Sequence, residues 1–67
     1  MALKKFLNIC DNWNMKVRIT NCSLQLQYQG TIRWLFDNPS AKSLLLLNTL
    51  VVSFGFHNDE LTIQVDA

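Results

Sequence analysis

Proline and glycine are scarce in this chain, one and two respectively among 67 residues. Little of the sequence therefore has the chemistry of a long loop or a flexible linker. Charge is sparse too: Asp, Glu, Lys and Arg make up 16% of the residues, and the formal net charge is +1. That is too little for a duplex-DNA binder, whose affinity comes from neutralising many phosphates. Cysteine is limited to Cys10 and Cys22, which form no Cys-x-x-Cys pair. With His57 as the only histidine, a four-ligand zinc site within one chain would have to draw on carboxylates. The most apolar run, Leu44 to Val52, is interrupted by Asn48 and Thr49. It falls far short of the roughly 20 residues that cross a bilayer, so no membrane partner is expected. Lys4 and Lys5 lead into only a short mixed stretch, so no secretory signal is expected either. A reducing cytoplasm with both thiols free is the implied setting.

What remains is hydrophobic: 49% of the residues, enough to exclude disorder. A chain of this length makes one domain, residues 1–67. Such a chain buries only about 60% of the surface its unfolded form exposes, so self-association into a homo-oligomer is expected. The charges are segregated. Residues 1–36 hold Lys4, Lys5, Lys16, Arg18 and Arg33 against Asp11, whereas residues 37–67 hold Lys42 against Asp37, Asp59, Glu60 and Asp66.

Periodicity sets out the elements. Leu3, Phe6, Leu7 and Cys10 lie at i, i+3, i+4 and i+7, the stripe of a helix over residues 2–10. Met15 to Thr20 alternates with Met15, Val17 and Ile19 on one face. Ser23 to Gln29 repeats the pattern with Leu24, Leu26 and Tyr28 on the face opposite Gln25, Gln27 and Gln29. Asn21-Cys22 between them predicts a tight hairpin turn, and Gly30 ends the second strand. Thr31 is placed to cap a short helical turn through Phe36. Asn38-Pro39 then reads as a cap and first helical position for a helix through Ala41 to about Leu47. Leu50 to His57 alternates with Leu50, Val52, Phe54 and Phe56 inward. Asn58-Asp59 is a two-residue turn, and Leu61, Ile63 and Val65 point inward beyond it. The expected fold is α+β: an N-terminal helix and two β-hairpins forming a four-stranded, mainly antiparallel sheet with helices on one face.

The other sheet face would then carry Lys16, Arg18, Thr20, Gln25, Gln27, Gln29, Ser53, His57, Thr62 and Gln64, with no carboxylate. Glutamine amides both donate and accept, and can pair with an adenine edge, while Arg and Lys neutralise phosphate. Lys16, Arg18, Gln25, Gln27, Gln29 and His57 therefore form the candidate ligand site, with Trp34 as a stacking plane. A small nucleotide or short oligonucleotide suits this face. So does a hydrogen-bonded protein interface, and so does plain solvation with both tryptophans in the core. His57 has no positioned partner or nucleophile in the sequence pattern, and the two glycines are too far apart for a phosphate loop. No enzymatic activity, metal or cofactor is expected.

The stretches "LKKFLNICD", "MKVRI" with a following strand ending in Gly30, and "VVSFGFHNDELTIQV" give the chain a wider likeness. It resembles a loose group of very short accessory proteins of phages and mobile elements of Gram-positive gut bacteria. Many of these look more acidic than this chain, whose first hairpin is basic. The resemblance implies a short helix plus two hairpins, location in the cytoplasm of the host bacterium, and action by binding. Two actions are common in that class: sequestering a small signalling nucleotide, or blocking a host defence protein as anti-CRISPR proteins do; a structural or regulatory subunit of a phage assembly is a third reading, from another class. The carboxylate-free face favours the first.

Overall fold

A computed structural model describes residues 1–66 of the chain. The elements run α1 (Leu3–Asn8), β1 (Lys16–Thr20), β2 (Leu26–Thr31), α2 (Ile32–Asp37), α3 (Ala41–Leu47), β3 (Leu50–His57) and β4 (Glu60–Asp66). The chain is an α+β fold whose four strands stand in the order β2-β1-β4-β3. Both hairpins are antiparallel, and they join through β1 and β4, which run parallel at the centre of the sheet.

One core lies between the sheet and the three helices. Val17 and Ile19 of β1 and Leu61, Ile63 and Val65 of β4 supply its floor. Leu3 and Leu7 of α1, Ile32 and Leu35 of α2, and Leu46 and Leu47 of α3 supply its roof. Side chains alternate across a strand, so the two central strands put every second residue under the helices. The helices are short, and caps at the start of α2 and α3 satisfy amides that have no partner within the helix. Thr31 Oγ1 accepts from the Trp34 amide at 3.1 Å and opens α2. At α3 the cap is Ser40 rather than the expected Asn38. Ser40 Oγ accepts from the Ser43 amide, and Ser43 Oγ accepts from the Ser40 amide, so the two residues satisfy each other and Pro39 stays outside the helix.

Three expectations fail through local departures from regular pairing, and a fourth, the burial of Phe54 and Phe56, fails at the sheet edge. The first turn is not the two-residue Asn21-Cys22 form. It spans Asn21 to Gln25, closed by the Asn21 amide on the Gln25 carbonyl at 3.0 Å, with Asn21 Oδ1 accepting from the Ser23 and Gln25 amides. Leu24 adopts φ 62° in this turn and is 75% exposed, so it is not core. In β2, Tyr28 faces Ile19 but Leu26 faces Thr20, which leaves Gln27 as the extra residue of a β-bulge. The bulge moves Leu26 out of the inward set and Gln27 out of the outward set. A second irregularity lies between Val51 and Ser53 of β3 and leaves Val52 without a cross-strand partner and exposed. Phe54 and Phe56 do sit opposite Ile63 and Leu61, on the helix side, yet they are 64% and 68% exposed because β3 is an edge strand that extends past the helices. The second turn is as expected: Asn58 and Asp59 both take positive φ, the requirement of a two-residue hairpin loop.

Candidate functional site

The face of the sheet away from the helices is open. Its floor follows from the pairing: Arg18 stands between Gln29 of β2 and Thr62 of β4, and Thr20 beside Gln64. Ser53 and Gly55 of β3 flank Gln64 and Thr62, and His57 faces Glu60. Apart from Gln29, these residues line a concavity of about 600 Å³, with Leu24 at one rim and the β3 stretch Phe54 to Phe56 along one side. Ser53 and Gln64 share a hydrogen bond across β3 and β4 (3.3 Å), which sets their side chains in the floor.

Only part of the expected residue set converges here. Arg18 and His57 line the concavity, and Gln29 adjoins it opposite Arg18. Lys16 lies at the start of β1 and borders a neighbouring hollow with Asn12, Asn14, Asn58 and Asp59. Gln25 is not in a strand; its amide oxygen accepts from Asn21 Nδ2 at 3.1 Å and stiffens the turn. Gln27, displaced by the bulge, lies with Tyr28, Trp34, Leu35 and Lys42 in a hollow of about 200 Å³ on the helix side. Trp34 is exposed on α2 and stacks on Tyr28 with ring centroids 6.1 Å apart, so its plane belongs to that second hollow and not to Arg18. Trp13 is held against Phe36 at 4.6 Å, packed on the core.

The face also carries a carboxylate. Glu60 accepts from Gln29 Nε2 at 3.1 Å and lines the concavity with Arg18 and His57. The expected acid-free surface is therefore a mixed one, with Arg18 and Glu60 offering opposite charges over a polar floor. Glu60 shares the parity of Thr62 and Gln64, which is the signal in the sequence that it belongs to this face. Leu24 carried no such signal, because nothing in its neighbourhood announces a positive φ.

Two titrating groups outside the concavity, Cys10 and Tyr28, have displaced values. Burial, and then the Asp11 charge, pushes the Cys10 thiol up, and Cys10 Sγ donates to the Phe6 carbonyl. Burial also pushes the Tyr28 phenol up, where Tyr28 Oη donates to the Thr31 carbonyl at 2.6 Å. Among the described residues, no three His, Cys, Asp or Glu side chains come together as a metal site would require, and no helix is long and apolar enough to cross a membrane. No protein-family model matches the chain, and no significant match joins it to a curated protein or to a solved structure.

Proposed function

We propose that this chain is a non-enzymatic binding protein that takes up a small nucleotide on the open face of its sheet and thereby counters a host defence. The observation that carries the ligand reading is the grouping of Arg18, His57, Ser53, Thr62 and Gln64 around one concavity of about 600 Å³. That volume is in the range of small-molecule sites, and the polar groups project from rigid strands rather than loops. Arg18 supplies a phosphate partner. Glu60 accepts hydrogen bonds, so it favours a ligand that brings amino donors together with its phosphate, as a nucleobase does. The defence role rests on the likeness to short phage accessory proteins.

A thermal-shift panel of cyclic and linear nucleotides tests this reading. A bound nucleotide stabilises the fold by about 2.7 kcal/mol at a hundredfold excess over its Kd. Arg18→Ala removes the shift without unfolding the protein, and Lys16→Ala, which borders the neighbouring hollow, weakens it less. A panel that shifts nothing sinks the nucleotide reading. One observation favours a second reading, inhibition of a host protein: apolar side chains stand exposed along β3. In that case a host protein co-purifies with the chain, and an alteration at Phe54 or Phe56 releases it.

A further inference from the structure

We propose that the outer edge of β3 pairs antiparallel with the same strand of a second copy, joining two four-stranded sheets into one of eight strands. The sheet has two outer edges, and they differ. On the β2 side the chain passes directly from Thr31 into α2, and Trp34 stacks back over Tyr28. On the β3 side the N-terminus covers only the beginning of the strand: the Val51 amide donates to the Met1 carbonyl at 2.9 Å, and Ala2 bridges Leu50. Among the described residues, no further strand pairs with the outer edge from Ser53 to His57.

Natural edges are guarded by charge, proline or bulges. The free part of this one is not. From Ser43 to Asn58 the sequence contains no Asp, Glu, Lys, Arg or Pro. Val52, Phe54 and Phe56 are 56%, 64% and 68% exposed there, and Met1 and Ile9 stand exposed on the same margin. Phe6 of α1 reaches Phe54 at 4.9 Å between ring centroids and continues the apolar strip toward the core.

A second copy fits this strip for three reasons. First, an uncharged strand meets its own image without repulsion. Second, a two-fold axis normal to the sheet keeps both helix layers on one side. The free stretch is symmetric about Gly55, so pairing centred there sets Phe54 opposite the partner's Phe56, and Phe56 opposite the partner's Phe54. Third, five exposed apolar side chains, aromatics among them, present on the order of 500 Å² per copy, so the pair reaches the roughly 1,000 Å² that a specific interface requires. Because the β2 edge does not match, the contact closes as a dimer instead of propagating.

Analytical ultracentrifugation of the ligand-free protein, between about 1 and 100 μM, tests the proposal. The wild type sediments as a dimer. The double variant F54E/F56E sediments as a monomer, with its circular dichroism unchanged. L45E, altered at an equally exposed leucine (72%) that lies on α3 and outside the apolar margin of β3, remains a dimer. Should F54E/F56E fail to fold, hydrogen exchange on the wild type decides: the amides of Ser53–His57 become more protected as concentration rises. A wild type that stays monomeric at 100 μM, species larger than a dimer, a folded F54E/F56E that still dimerises, or exchange independent of concentration would each overturn it. None of these readings uses the nucleotide, so a failed thermal-shift panel leaves the dimer standing, and the reverse holds as well.

Discussion

The two hairpins are built to one plan and end up in different physical situations. Each places one strand at the centre of the sheet and one at the edge, and each has a register irregularity in its edge strand. In the first, the edge strand is drawn under α2: Tyr28 is half-buried, and Trp34 lies over it. In the second, the edge strand is left with two aromatic rings in solvent. Alternation of apolar residues is therefore equally clear in β3 and β4, yet only in β4 does it mark core. The difference arises because burial needs a roof, and the helices cover β1 and β4 first.

The largest test of this contrast sets a central residue against an edge residue. Ile63→Ala, at a fully buried position, should cost about 2–5 kcal/mol in urea unfolding, enough to leave much of a small domain unfolded. Phe54→Ala, measured at dilution, should cost only about 0.5–1.5 kcal/mol, the scale of its ring contact with Phe6. Equal costs would mean that β3 is roofed in solution.

The glycines give the next contrast, one in each edge strand. Gly30 has φ +153°, and a Cβ there would lie 2.7 Å from Tyr28 Oη. Gly30→Ala should destabilise by about 1–3 kcal/mol. Gly55→Ala in the monomer should stay neutral or add up to about 1 kcal/mol, because it restricts the unfolded chain and meets open space. Thermal melts of the two variants side by side would show it.

The turns differ by less. Leu24 is a branched residue at φ 62°, whereas Asn58 and Asp59 are types that tolerate this region. Leu24→Gly should stabilise by roughly 0.5–1 kcal/mol and Asp59→Gly by less than about 0.5 kcal/mol. If Leu24→Gly also abolished a nucleotide shift, the strained turn would be part of the binding surface.

The smallest effect is alkaline. Burial raises the Tyr28 phenol in the folded state. Stability from that group is whole below its unfolded value of about 10 and is lost as pH rises through the higher folded value. Tyr28→Phe should flatten this alkaline decline while losing about 1 kcal/mol at neutral pH with the bond to the Thr31 carbonyl. Urea titrations at pH 7 and 10.5 compare the two.

Much of the fold was legible from periodicity alone. Leu3 and Leu7 of the predicted stripe are fully buried, as are Val17, Ile19 and Ile63 of the predicted strands, and the Asn58-Asp59 turn has the backbone its residue types predict. The candidate site was half legible. Arg18, Gln29 and His57 stand on the open face because β1, the end of β2 and the end of β3 keep their alternation. Gln25 and Gln27 left it because a turn and a bulge intervene, and a bulge has no composition of its own: Leu26, Gln27 and Tyr28 read as an unbroken strand.

The sequence by itself determined which residues share a face within each element, because side-chain direction follows from backbone geometry over a few neighbours. It also set the cap of α2, where the Thr31 side chain meets an amide three positions away, and the second turn, where Asn58 and Asp59 take positive φ. Tertiary structure alone decided that β1 and β4, more than 40 positions apart, run parallel at the centre. That pairing made Ile63 core and left Phe54 in water, and it placed Glu60 on the face with Arg18. Strand order depends on which edges remain to be paired once the helices have settled on the sheet, and that is a property of the whole chain rather than of any window within it.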